Sequence, residues 1–357
     1  AYTIIIRPIF ILLWTELCGR GHTKQKTVSR QLLLNLRKTV WVLSITQNIL
    51  RIFGKMQKKY KHLLPNYDSG RFFVSPILGC SGGCKYCYLP INNYSIPRKN
   101  DISILEIKKV AEATPDFLFG RKGTIISIGA WGDIFPKNNI ELCNHSVNLI
   151  LELLKWNNPI QIMSKYAPSN EIISKIVSGI QYEGQLLYST TVTTIIYWDK
   201  IEPNTSSPID RLNACKVFKQ YNVPTNVMIK PFIEQITSEE IENIADIITK
   251  SKINFCVIGV LYHNAKIQKK LNTVLDLENI SNQINHLDCN GKTEIASTSI
   301  TSLIQYVKYL RSKGINAFAK SSCVSANILG RYNPSGYFTE HSEYCVLCGN
   351  CREKTKI

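Results

Sequence analysis

From residue 72 onward the chain alternates six β-rich runs with segments whose apolar residues recur at spacings of three and four. This alternation constrains the fold more than any other feature of the sequence. The runs are FFVSPILG (72–79), TIISIGAW (124–131), PIQIMSK (159–165), GQLLYSTTV (184–192), VPTNVMIKPFI (223–233) and INFCVIGVLY (253–262). Helical patterns occupy 102–113, 138–156, 168–179, 207–221, 238–250 and 297–314, with Pro168-Ser169 and Ser238 as helix starts and Gly314 as a stop. Strands joined through helices by right-handed crossovers give a parallel sheet that can curl. The expected class is α/β, a partial (β/α)6 TIM-like barrel with a C-terminal cysteine-rich metal-binding extension.

Three regions follow: an N-terminal basic extension (1–55), the barrel (56–315) and a metal-binding tail (316–357). Residues 1–55 hold nine of the Lys and Arg and one acidic residue, so they supply +8 of the net charge of +17 and leave +9 on the rest. Basicity is therefore weak evidence for a polyanionic substrate. The first Met is Met56. We take translation to begin there, with the upstream piece not native; a basic targeting presequence is the rival reading. No run approaches the length of a membrane span, and IFILLW at 9–14 is far too short.

Of the twelve cysteines, Cys80, Cys84 and Cys87 fall within GCSGGCKYCYLP (79–90), and Cys345, Cys348 and Cys351 close the chain with Cys323 upstream. Such clustering favours metal binding in a reducing compartment, and so a cytoplasmic location, over disulfides. Cys18, Cys143, Cys215, Cys256 and Cys289 are scattered and read as structural thiols. A structural zinc site takes four closed ligands, so the first triplet is one short, and His62 and His145 are distant in sequence. A cubane iron-sulfur cluster held by three cysteines leaves one iron open to an outside ligand. Gly79, Gly82 and Gly83 permit the tight turns that bring the thiolates together.

With three cysteines at this spacing after the first strand, the chain resembles the radical S-adenosylmethionine enzymes, and Tyr86 fills that family's aromatic slot before the last cysteine. SIGAWGDIFPK (127–137), IMSKYAPSNEI (162–172) and the stretch from Leu186 to Ile233 narrow the resemblance to the spore photoproduct lyase-like branch, over roughly residues 70–265. The resemblance implies a 4Fe-4S cluster on Cys80, Cys84 and Cys87 whose open iron binds S-adenosylmethionine. It also implies reductive cleavage to a 5'-deoxyadenosyl radical, hydrogen abstraction from a substrate, and an electron donor such as flavodoxin or ferredoxin. The lyase branch is expected to carry a hydrogen-donor cysteine, which has no evident counterpart here.

Chemistry and resemblance together assign roles to further residues. Tyr86 packs on adenine or shields the cluster. Lys165, at the carboxyl end of the third strand, meets the carboxylate of S-adenosylmethionine, against the alternative of a solvated lysine. Ser189 and Thr191 share one face of the fourth strand, where hydroxyls reach the ribose or methionyl group. Asp133 bonds the cofactor or caps its own turn. Arg211 clamps the carboxylate or pairs with Glu202. Gly259 admits a flat adenine or marks a bulge.

The tail cysteines Cys323, Cys345, Cys348 and Cys351 complete a four-thiolate site, a second 4Fe-4S cluster or a zinc. The substrate class stays open between nucleic acid and peptide or protein. The rival function is a non-catalytic, zinc-containing nucleic-acid-binding protein, but no platform of aromatics interleaved with Lys and Arg supports it.

Overall fold

The computed structural model describes residues 65–68, 70–275, 285–289, 292–296 and 300–331. The N-terminal extension (1–55) and the cysteines Cys345, Cys348 and Cys351 lie outside the described residues.

Thirteen strands are described: β1 (Asn66–Asp68), β2 (Arg71–Val74), β3 (Ile77–Leu78), β4 (Arg98–Lys99), β5 (Ile125–Ile128), β6 (Ile160–Ser164), β7 (Leu186–Thr191), β8 (Thr225–Phe232), β9 (Phe255–Val260), β10 (Tyr262–His263), β11 (Asn285–Cys289), β12 (Lys292–Ala296) and β13 (Asn316–Phe318). Eight of them form one sheet in the order β1-β2-β5-β6-β7-β8-β9-β13. All its pairings are parallel except that of β1, which runs antiparallel to β2. All six expected runs contribute strands to this sheet.

Each parallel strand lies beside its predecessor in sequence. Right-handed crossovers that always step the same way put every connecting helix on one face, the winding of a barrel rather than of a doubly wound sheet. The side chains show it. Ile126, Ile128, Ile160, Ile162, Tyr188, Val227, Ile229 and Ile258 share one core with residues of the helices Ile140–Leu154, Asn170–Val177, Pro208–Gln220, Ile241–Lys250 and Ile300–Ser312. Residues of opposite parity, among them Gln161, Met163, Ser189, Met228 and Val257, form the inner face. The helices start where capping residues allow: Ser103 makes a capping box with Glu106, and Asn139, Ser169 and Ser207 each accept a bond from a first-turn N–H.

The sheet continues past the boundary expected after residue 315. Asn316–Phe318 pairs with β9, and the helix Ser321–Ile328 packs Cys323 and Val324 with Leu187, Met228, Val257 and Phe318. Arg331 then donates to the carbonyls of Lys122 and Gly123 at 2.6 and 2.7 Å, tying this helix to the segment before β5. The helix thus covers the inner face near the amino ends of the strands and leaves the carboxyl ends open. Among the described residues no helix is long and apolar enough to cross a membrane.

Candidate cluster and cofactor site

The triplet loop leaves the first parallel strand through the short hairpin of β3 and β4. Gly79 and Gly132 bridge there, continuing the contact between the first two strands beyond their ends. Only glycines fit: a Cβ on Gly79, at φ +89°, would lie 2.3 Å from the carbonyl oxygen of Ile96, and one on Gly132 would lie 2.6 Å from that of Gly79. This approach brings the cysteine loop against the SIGAWGDIFPK segment.

Cys80, Cys84 and Cys87 all line one cavity of about 290 Å3 at the carboxyl ends of the strands, with Tyr86, Asp133, Lys165 and Thr191 on its other walls. Two backbone N–H groups already address the sulfurs, Gly82 to Cys80 Sγ at 3.3 Å and Leu89 to Cys87 Sγ at 3.4 Å. Burial, and then the carboxylate of Asp133, pushes the Cys80 thiol up to about 11; burial and Glu202 push Cys84 higher still, and burial raises Cys87. Thiols in such surroundings ionise only when positive charge arrives with them, as it does with iron. Among the described residues no three Cys, His, Asp or Glu converge on a single ion position. Three thiols lining one cavity match the donor set of a cubane held by three cysteines with one iron open.

Behind the cysteines stands a fully buried charge network. Glu202 pairs with Arg211 at 2.6 Å and accepts the hydroxyl proton of Tyr86. Against the desolvation that burial imposes, Arg211 and then Lys165 hold Glu202 below the usual carboxylate range. Lys165 opposes its own desolvation through Glu202 and Cys84, which raise its affinity for the proton, and its ammonium lies 5.4 Å from the centre of the Tyr86 ring. Lys165 thus lines the cavity wall half-buried, with its ammonium beside the Tyr86 ring.

Asp133 braces the position of that lysine. Its Oδ2 accepts the N–H of Lys165 at 2.7 Å, and its Oδ1 accepts Ser164 Oγ at 2.6 Å and the Phe135 N–H at 3.1 Å. Burial raises its proton affinity and these bonds oppose the rise. It caps its own turn, the alternative reading, and it also reaches the end of β6.

Three of the residues expected at the cofactor do not line this cavity, and Arg211 takes its other expected role, the pair with Glu202. Arg211 is completely buried and donates to the carbonyls of Ser206 and Thr191 at 2.8 Å, to Thr205 Oγ1 and to Glu202, so it anchors the network without lining the cavity. Ser189 does share a face with Thr191, but one residue pair deeper, where it accepts from Gln161 at 3.0 Å and Asn226 at 3.2 Å; only Thr191 reaches the cavity. The space over Gly259 holds the aliphatic stem of Lys230, with Cδ 2.8 Å from a Cβ placed there. Lys230 itself escaped sequence reasoning; the available signal was one charge inside the otherwise buried strand TNVMIKPF.

Cys143, Cys215 and Cys256 lie in the outer core as expected of structural thiols, and no cysteine beyond the triplet lines the cavity among the described residues.

No family model and no curated protein matches the sequence. Among solved structures, the chain is similar to spore photoproduct lyase complexed with dinucleoside spore photoproduct, with a TM-score of 0.54 and 13% identity over 71% of this chain and 77% of that one. A mutant of the same enzyme with bound AdoMet and dinucleoside spore photoproduct aligns with a TM-score of 0.53 and 13% identity over 71% and 78%. The chain has the fold of spore photoproduct lyase.

Proposed function

We propose that the chain is a radical S-adenosylmethionine enzyme. The observation that carries this reading is the gathering of Cys80, Cys84 and Cys87 on one wall of a cavity that also receives Lys165, at the carboxyl ends of the strands where such folds place their chemistry. When bound, a 4Fe-4S cluster and S-adenosylmethionine supply one-electron cleavage of a sulfonium bond and a 5'-deoxyadenosyl radical for hydrogen abstraction. The AdoMet bound in the spore photoproduct lyase mutant supports the same cofactor here.

The chain's own residues do the positioning. Cys80, Cys84 and Cys87 would hold a 4Fe-4S cluster and leave one iron without a protein ligand. Lys165 would pair with the cofactor carboxylate as a charge-assisted contact, its backbone fixed by Asp133. Thr191 would offer a hydroxyl on the opposite wall. Tyr86 and the apolar side chains Met163 and Met228 exclude water from the reacting centre. The electron comes from outside, from a carrier such as flavodoxin or ferredoxin. Cys323, Cys345, Cys348 and Cys351 would form a second, closed site suited to structure or electron relay. The zinc-module reading is not favoured, because the chain shares its fold with spore photoproduct lyase.

The test is iron, sulfide and the visible spectrum of protein purified without oxygen. Wild type is expected to be brown with an iron-sulfur charge-transfer band, and Cys84→Ala to lose the iron of this site. Colourless protein containing zinc would refute the proposal.

A further inference from the structure

The cysteine loop is approached from a second direction. The helix Ala265–Leu275 packs on it through Ile267 and Leu271, which share one apolar cluster with Cys84, Tyr86 and Ile201 and have Cys87 packed against them. No residue of this helix lines the cavity, so it reaches the cysteines without entering the reaction chamber. The loop is also thinly covered. Cys80 and Cys87 are only half-buried, and Ser81 and Gly83 between them are exposed.

The charge around this contact has one sign. The helix sequence AKIQKKLNTVL holds three lysines and no acidic residue; Lys266 and Lys269 are exposed and Lys270 is half-buried. The helix packs as well on the short helix Trp198–Ile201, which carries the exposed Lys200. The carbonyl of Ile201 in turn accepts the N–H of Lys85, in the cysteine loop, at 2.9 Å. Five lysines from three elements thus gather at the loop, and none of them makes an ion pair among the described residues. The carboxylates on the elements packed there are Asp199, Glu234 and Glu202, the last buried against Arg211. A face that keeps like charges together without counterions attracts an anionic partner and speeds its encounter.

We propose that this lysine face docks an acidic electron-carrier protein that reduces the cluster. The docking rests on reading Cys80, Cys84 and Cys87 as a cluster site and deepens that reading by naming where the electron enters. One electron leaves the carrier and one reaches the cluster, with no bond formed or broken. A carrier needs only nearness to the cysteines, which this face gives. A polyanionic substrate needs the chamber, and none of the five lysines lines it.

The probe is an acidic [2Fe-2S] ferredoxin. Its binding to the full chain is measured by titration calorimetry with and without the cluster, and cluster reduction by reduced ferredoxin or by dithionite is followed in stopped flow. Wild type is compared with the triple variant Lys266→Glu, Lys269→Glu, Lys270→Glu, with the same three positions changed to Gln, and with a control triple, Lys109→Glu, Lys216→Glu, Lys250→Glu, whose lysines are exposed on other helices. The first triple is expected to weaken ferredoxin binding and slow ferredoxin-driven reduction by on the order of tenfold, with a flatter salt dependence. The Gln triple should show a smaller loss in the same direction, and dithionite should reduce every variant at the wild-type rate. No ferredoxin binding to wild type, unchanged binding in the first triple, or an equal loss in the control triple would overturn the proposal. Binding of a DNA or RNA oligonucleotide that the first triple abolishes, with ferredoxin affinity unchanged, would assign the face to nucleic acid instead. If the cluster reading itself failed, dithionite would reduce nothing, and the ferredoxin affinity of the cluster-free chain would still decide the docking face.

Discussion

Glu202 and Arg211 form an ion pair of 2.6 Å in which neither side chain reaches solvent, nine residues apart in sequence and directly behind the cysteine loop. The pair links the helix Pro208–Gln220 to the triplet, because Glu202 also accepts from Tyr86, which lies between Cys84 and Cys87. Removing one partner leaves the other as an uncompensated buried charge, which costs about 3 to 5 kcal/mol. Glu202→Gln is therefore expected to lower the urea midpoint of the cluster-free chain markedly.

The same pair sets an acid dependence. Glu202 titrates below its ordinary range in the folded chain, so its contribution is full above the unfolded carboxylate value of roughly 4.3 and is lost as pH falls through the lower folded value. The stability gap between wild type and Glu202→Gln should be widest near neutrality and close on the acid side. A gap independent of pH down to acid unfolding would show that charge is not what the pair contributes.

The proposed role of Lys165 is carried by its ammonium. Lys165→Ala is expected to weaken S-adenosylmethionine binding by roughly tenfold or more, as a shielded charge-assisted contact of about 1.5 to 3 kcal/mol implies, while the cluster still assembles. Equilibrium binding to reconstituted protein measures it. Unchanged affinity would remove Lys165 from the cofactor site.

Asp133 acts by holding Lys165. Asp133→Asn keeps the shape but gives up one carboxylate acceptor of three short bonds, for a loss of about 1 to 3 kcal/mol in stability. It should also weaken S-adenosylmethionine binding, and that second effect should vanish in a Lys165→Ala background. Full additivity of the two substitutions would mean that Asp133 meets the cofactor directly.

For the tail, replacing Cys323, Cys345, Cys348 and Cys351 together by Ala should reduce iron from about eight to about four per chain if both sites hold cubanes, or remove one zinc if the second is structural. Unchanged metal content would eliminate the second site.

The sheet was legible because each inner strand alternates apolar residues between two buried faces, a pattern that survives in sequence. β13 was not legible: Asn316–Phe318 is three residues long, follows the stop at Gly314 and resembles the start of a tail, and only its pairing with β9 makes it a strand. Strand parity put Ser189 on the correct face but could not say how deep the cavity reaches. Arg211 carried two readings, and its helix start gave no sign that Ser206, Thr191, Thr205 and Glu202 would take up its donors. Gly259 signalled a needed gap, but what fills it is a side chain from the neighbouring strand, which no single-strand reading supplies. That the cysteine triplet and Lys165 meet at one cavity was legible because loop spacing and strand-end position survive in sequence.

The most direct measurement is the yield of 5'-deoxyadenosine from S-adenosylmethionine after anaerobic reconstitution and reduction with dithionite. Wild type is expected to produce it, and Cys80→Ala, Cys84→Ala and Cys87→Ala to produce none. No 5'-deoxyadenosine from fully loaded wild type, or a wild-type yield from the variant lacking all three cysteines, would contradict the assignment.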